Sequence, residues 1–307
     1  MIWRKLGVVY KPDGVMDWAA SHAMLPTPMV LKNGAVRVYL SFRDRFNVGR
    51  VGCVDVSADD PEKILAVSNQ PVLDVGLPGT FDENGVIPTC VVDASLDTKY
   101  MYYVGFELGT KIRYRLFTGL AVSHDGGDSF QRLRGTPILE RSDEELYFRC
   151  GPFVLKEGNL FKMWYVGGSS WTVVSGKEMP VYDLKYLESA DGISWGPVGK
   201  TCLDLCDPDE HGFGRPFVVK DNGLYRLFYS IRRRSLAAYR LGYAESTDGI
   251  NWQRRDHELG LDVSKEGWDS EAIMYSAVIT IRDRTYMFYN GNNFGETGFG
   301  VALLERR

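Results

Sequence analysis

The chain has 307 residues, 44% of them hydrophobic and 25% charged, and carries a net charge of −4. That balance belongs to a globular chain and excludes a nucleic-acid tracker, which needs a basic face; Arg232, Arg233 and Arg234 form the one dense basic run. No apolar run approaches the roughly 18 residues of a membrane span, and MIWRKLGVVY lacks the basic start and apolar centre of a signal peptide. Five scattered cysteines (Cys53, Cys90, Cys150, Cys202 and Cys206) give neither an even disulfide set nor a zinc spacing with histidine nearby. Free thiols, a cytoplasmic location and no cofactor are therefore expected.

At the N-terminus, WRKLGVVY reads as a strand ending at Lys11-Pro12-Asp13-Gly14. A phrase then recurs: proline or its equivalent, an apolar strand, a polar turn, an aromatic-rich strand. It begins as TPMVLKNGAVRVYLSF at Thr27 and returns at Ile87, Gly151, Arg215 and Tyr275. The aligned positions are Pro28, Pro88, Pro152, Pro216 and Ser276, spaced 60, 64, 64 and 60 residues apart. Three units add a second phrase, SHDGGDSF at Ser123, SADGISW at Ser189 and STDGINW at Ser246. Asp-Gly followed by an aromatic is a hairpin signal: Gly takes positive φ, Ser and Asp bond local backbone, and the aromatic packs back.

With 17 Tyr, 15 Phe, seven Trp and 33 Gly, the composition suits strands and tight turns, and helical periodicity is essentially absent. The expectation is all-β: one five-bladed β-propeller over 1–307, each blade of three to four antiparallel strands. Blades fall near 15–70, 71–137, 138–200, 201–260 and 261–307 plus 1–12, the N-terminal strand closing the ring.

The residues just before each aligned position would line the central funnel. They include His22 in the first unit, Asp82 and Glu83 in the second, and Arg149 in the third. The fourth offers His211 and Arg215, and the fifth Asp269, Glu271 and Tyr275. Charged groups entering an apolar strand are costly unless paired or used. Converging carboxylates push each other's pKa values apart, as acid/base chemistry requires.

The phrases HAMLPTPMVL, YLSFRDRFNVGRVG, GTFDENGVIP, DEHGFGRPFVV, GYAESTDGINW, GWDSEAIM and YNGNNFGETGFG resemble a bacterial group of glycosidase-like five-bladed propellers, from about His22 to Glu305. More distantly the chain is similar to the superfamily of glycoside hydrolase families 32, 43, 62, 68, 117 and 130. The resemblance implies hydrolysis of a glycoside by two carboxylates, in surface-polysaccharide or modified-sugar metabolism. It departs from family 43 in unit one, which offers His22 in place of an acid, and in unit three, where Arg149-Cys150-Gly151-Pro152 lacks the family's Glu.

Asp82 or Glu83 with Glu271, and Asp269 in reserve, are then the candidate catalytic carboxylates. Arg43, Arg149 and Arg215 suit hydroxyls, a carboxylate or a phosphate on the sugar. Asp44 is expected to orient Arg43 or a hydroxyl, and His22, His211 and Tyr275 to complete the substrate contacts. The alternatives are a non-catalytic sugar-binding propeller, a sialidase-like enzyme built on the arginines and Tyr275, and a phosphorylase or transferase. No metal ligand is assigned, although axial acids could hold a structural Ca²⁺.

Overall fold

A computed structural model describes residues 1–236 and 238–306. Nearly all regular structure is strand. The N-terminal strand is β1 (Ile2–Tyr10). Unit one forms β2 (Ser21–Val30), β3 (Val36–Arg43), β4 (Gly49–Val56) and β5 (Ile64–Val67). Unit two forms β6 (Val86–Asp93), β7 (Lys99–Leu108), β8 (Tyr114–Ser123) and β9 (Gln131–Arg132). Unit three comprises β10 (Arg149–Glu157), β11 (Leu160–Val174), β12 (Lys177–Ser189) and β13 (Lys200–Leu203). Unit four comprises β14 (Glu210–Asp221), β15 (Leu224–Arg233), β16 (Ala238–Ser246) and β17 (Gln253–Arg254). The last strands are β18 (Met274–Ile281), β19 (Arg284–Asn290) and β20 (Phe299–Arg306).

Within each unit, consecutive strands pair antiparallel, and β1 pairs antiparallel with β20. Neighbouring units touch through single parallel bridges: Gly49 to Gly85, Phe117 to Arg149 and Tyr182 to Gly212. The innermost strands β2, β6, β10, β14 and β18 pack each against the next, and β18 packs against β2. The sheet thus curls around an axis. No helix among the described residues is long and apolar enough to cross a membrane.

The Asp-Gly hairpins follow the mechanism read from the sequence, and they also join units. Ser189 donates to Asp191 Oδ1 at 2.8 Å, and Gly192 N–H donates to Ser189 Oγ at 3.0 Å. Backbone N–H groups, first that of Ser194, hold the Asp191 carboxyl well below the usual range. The glycine carbonyl of each turn accepts a bond from an aromatic on the preceding unit. Tyr39 reaches Gly127 at 2.8 Å, Tyr102 reaches Gly192 at 2.8 Å, and Trp164 Nε1 reaches Gly249 at 2.7 Å. Phe130, Trp195 and Trp252, which end the turn phrases, pack edge-on against these same three aromatics. The core between units is built from such contacts and from buried Val, Leu and Phe of the inner strands.

Each inner strand breaks register near its aligned proline or serine, between Met24 and Thr27, Pro88 and Cys90, Cys150 and Phe153, Gly214 and Phe217, and Met274 and Ala277. In units three, four and five the residue before the aligned position is left-handed: Gly151 at φ 60°, Arg215 at 48° and Tyr275 at 56°. Only the first is a glycine. A side chain in this region costs of order 1–3 kcal/mol, so the bulges that re-aim Arg215 and Tyr275 hold them in strained backbone.

Candidate functional site

Most of the charged residues expected to line the funnel are consumed by the scaffold. Asp82 is fully buried; it pairs with Arg132 at 2.7 Å and accepts from the Tyr103 hydroxyl at 2.9 Å and Thr80 at 2.9 Å. Asp269 pairs with Lys5 of β1 at 2.6 Å and accepts from Tyr289 at 3.1 Å. In unit three the equivalent acid is Glu145, held by Tyr165 at 2.7 Å, the Gly199 N–H at 3.0 Å and Arg149 at 2.6 Å. In unit four Glu210 pairs with Arg254 at 2.6 Å, and Arg254 also grips Asp256, which accepts from Tyr229 at 2.6 Å. The shared pattern is a buried acid, the second aromatic of the YY, WY or FY pair, and a cation. In units two to five it ties the segment entering the unit to that unit's later strands.

This corrects several expectations. Arg149 is held by Glu145 and by the carbonyls of Glu140 and Gly196, so it belongs to that scaffold. Asp44 does not orient Arg43; it closes the β3–β4 turn, accepting from Phe46 N and Val48 N and pairing with Arg50 at 2.7 Å. Burial alone would raise its carboxyl, but Arg50 and those two amides hold it below the usual range. Glu83 is bound locally, to the Gly79 N–H at 2.6 Å. Glu271 is exposed, and its carboxylate makes no hydrogen bond or ion pair among the described residues. Asp82 and Asp269, each locked to its own tyrosine and cation, are not presented as an open pair.

Arg215 crosses the axis. Its Nη1 donates to the carbonyls of Tyr275 at 3.2 Å and Ser276 at 3.1 Å. Its Nη2 reaches Pro26 O at 2.9 Å, Thr27 Oγ1 at 3.0 Å and Thr89 O at 3.3 Å. One side chain from β14 thereby stitches β2, β6 and β18, stacked over Phe217 at 5.2 Å. Burial, with no carboxylate to oppose it, pulls this guanidinium down to about 9. Beyond Arg215 lies a cavity of about 400 Å³ walled by Phe153, Phe217, Val278 and Cys90. Thr27, Asp93 and Lys156 also line it.

On the other side of Arg215, the N-terminal ends of the inner strands open on a mouth of tyrosines and unpaired cations. Tyr182 and Tyr239 share a hydroxyl–hydroxyl bond of 2.7 Å, and the Tyr239 ring lies 5.4 Å from that of Tyr275. Arg232 lies over Tyr239 at 4.8 Å and over Phe294 at 5.7 Å. Tyr114 stands in the field of Arg232 and packs at 6.0 Å against Trp171. Burial lifts Tyr182 and Tyr275 well above the usual phenol range, so both are neutral at pH 7. Three buried donors near this mouth, Arg232 Nη1, Trp171 Nε1 and Ser276 Oγ, have no partner among the described residues.

His22 and Arg43 flank the same mouth. Burial first, and then Arg43, push His22 down to about 4, with Glu296 opposing. Arg43 makes no ion pair among the described residues, and its one hydrogen bond is a 3.7 Å contact to Met24 Sδ. His211 is buried, bonded through Nδ1 to the Pro180 carbonyl at 3.2 Å, and lowered by burial and by Arg232 and Arg234. Phe294 is offered by a turn in which Asn293 (φ 52°) and Phe294 (φ 58°) are both left-handed. Of the expected residues, the structure thus gathers His22, Arg43, His211 and Tyr275. Sequence reading missed Arg232, Tyr114, Tyr182, Tyr239, Phe294 and Glu296. One signal was available: Tyr182 and Tyr239 each stand seven residues ahead of a Ser-x-Asp-Gly serine. Among the described residues no group of three His, Cys, Asp or Glu side chains is placed to hold a metal ion.

This fold is that of glycoside hydrolase-like proteins. A glycosyl hydrolase from Bacteroides ovatus superposes with a TM-score of 0.74 at 14% identity, over 99% of this chain and 93% of that one. A thermostable family-43 glycoside hydrolase superposes at 0.68 and 15% identity, over 92% of this chain and 89% of that one. No family model matches the sequence. By sequence the chain belongs to the family of the uncharacterized protein Rv1502 of Mycobacterium tuberculosis (strain ATCC 25618 / H37Rv). The two are 34% identical over 305 residues, which span 99% of this chain and 100% of that one.

Proposed function

We propose that this is a five-bladed, glycosidase-like propeller, its ring closed by the N-terminal strand, that takes a carbohydrate into the tyrosine-lined mouth. The strand groups, the packing of β18 on β2 and the β1–β20 pairing support the architecture. The observation that carries the ligand reading is the gathering of Tyr114, Tyr182, Tyr239 and Tyr275 hydroxyls beside the ring faces of Trp171 and Phe294. Rings of this kind pack on the apolar C–H faces of a sugar while phenols and guanidinium groups meet its hydroxyls.

If the bound glycoside is cleaved, the carboxylates free for acid/base work are Glu271 and Glu296. The carboxylate of the first has no partner among the described residues, and the second acts electrostatically on His22 and Arg43. The expected roles are one protonating the leaving oxygen and one activating water or attacking the sugar. The test is release of nitrophenol from a panel of nitrophenyl glycosides by the full chain. Glu271→Gln and Glu296→Gln should each lower turnover about 100-fold or more without loss of fold. Turnover indifferent to both overturns this assignment. The non-catalytic alternative draws on one observation, the commitment of Asp82 and Asp269 to structural pairs. Under it, the sugar binds and no glycoside in the panel is cleaved.

A further inference from the structure

Buried and half-buried guanidinium groups in this protein are generally answered, although Arg215 Nε, like Arg232 Nη1, has no partner among the described residues. Arg149 has Glu145, Arg254 has Glu210 and Asp256, and Arg215 has five oxygen acceptors. Arg232 and Arg43 are the exceptions at the mouth. Arg232 has aromatic faces but no ion pair among the described residues, and its Nη1 is buried without a partner. Arg43 makes one hydrogen bond among the described residues, to the methionine sulfur, and feels the charge of exposed Glu296.

The two arginines hold the same place in the repeat. Arg43 lies three residues beyond Leu40 on β3, and Arg232 three beyond Tyr229 on β15, where Leu40 and Tyr229 are themselves equivalent. Since β18 packs against both β2 and β14, the unit bearing Tyr275 lies between them. Tyr275 feels both charges. Both arginines are half-buried; drawing two cations partly out of water without an ion pair is costly, and such an arrangement persists where a ligand supplies the missing charge. The phenols between them are neutral donors, and a guanidinium fork matches an oxyanion in bidentate fashion.

We propose that Arg232 and Arg43 form an oxyanion subsite at the mouth, which receives the carboxylate or phosphate of a charged sugar. The sugar part of this inference rests on the carbohydrate reading above; the oxyanion part does not. Tyr239 and Phe294 hold the Arg232 plane, and Tyr275 spans the gap between the cations. Glu296 sets the limit of the subsite on the Arg43 side, where a second negative charge is unwelcome.

Calorimetric titration of the full chain with glucuronate, glucose 6-phosphate, glucose and inorganic phosphate tests this. One or both charged sugars should bind about tenfold or more tighter than glucose at low salt, with the gain shrinking as salt rises. Arg232→Met and Arg43→Met should each erase that gain, a loss of about 10- to 100-fold. Arg232→Met should leave the thermal midpoint unchanged or higher, because it removes an unpaired charge; Arg43→Met provides a second variant if it does not fold. A preference for glucuronate alone assigns a carboxylate, and a preference for the sugar phosphate alone assigns a phosphate; either supports the subsite. Equal binding of glucose and both charged sugars overturns the subsite while leaving the carbohydrate reading standing. Arg232-dependent binding of inorganic phosphate with no sugar bound sustains the subsite and overturns the carbohydrate reading. No binding of any of the four overturns the subsite.

Discussion

Two sets of charges, one buried and one half-buried, separate the scaffold of this protein from its mouth. In the scaffold, Asp82, Glu145, Glu210 and Asp269 are each matched by a cation and held, directly or through Asp256, by a tyrosine. At the mouth, Arg232 and Arg43 make no ion pair among the described residues; neutral phenols surround Arg232, and the exposed Glu296 acts on Arg43. Paired buried charge is what a fold keeps for register and for joining elements. Charge drawn from water without an ion pair costs stability. Asp82 and Asp269, which looked catalytic by position, are therefore structural by partnership, whereas Arg232 and Arg43 have no ion-pair partner among the described residues.

The sharpest way to break this contrast is to remove a scaffold charge. Arg215→Met strips five hydrogen bonds from the axis and leaves buried carbonyls unanswered, so a loss of about 3–5 kcal/mol is expected in urea unfolding. Asp82→Asn should cost about 2–4 kcal/mol, softened because Arg132 can turn to water. Gly192→Ala tests the turn latch: Gly192 sits at φ 71° with the Tyr102 hydroxyl 2.7 Å from where a Cβ would stand. About 2 kcal/mol should be lost.

A smaller effect of opposite sign is expected at Asp183, on the unit-three sheet. Burial raises its carboxyl to about 6, Lys185 opposing and Asp204 adding, and its Oδ1 has no partner. The protonated form is the one the fold favours, so its stabilising contribution is present in acid and is lost as pH rises through about 6. Asp183→Asn, which copies the neutral form, should gain about 1–2 kcal/mol at pH 8 and nothing near pH 4. A gain that is the same at both pH values would show that burial of charge is not its cause.

The repeat was legible because strands of one length joined by short turns return a proline or serine every 60 to 64 residues. The structural role of the acids was legible too, had the second aromatic of each unit been aligned. Tyr103, Tyr165, Tyr229 and Tyr289 occur where a buried acid occurs, and unit one has Leu40 there and no acid. Latch aromatics follow the same rule: Tyr39, Tyr102 and Trp164 carry donors where the next unit has an Asp-Gly turn, whereas Phe228 and Phe288 do not. The mouth was far less legible. Its residues come from β2, β3, β8, β11, β12, β14, β15, β16, β18 and the turn after β19, and the curl of the sheet and the left-handed backbone at His22, Tyr275 and Phe294 bring them together. Arg232 stood in an arginine run whose three members go different ways. Arg234 bonds Thr172, Arg233 faces Asp207 and Asp209, and Arg232 alone turns to the tyrosines.

The most direct test of this division is a crystal structure of the full chain soaked with glucuronate or glucose 6-phosphate. The sugar is expected at the mouth, its anionic group against Arg232 or Arg43 and its ring against Tyr239 or Phe294, with the Asp82–Arg132 and Asp269–Lys5 pairs intact. A sugar seated instead between opened Asp82 and Asp269 carboxylates, away from Arg232, would contradict it.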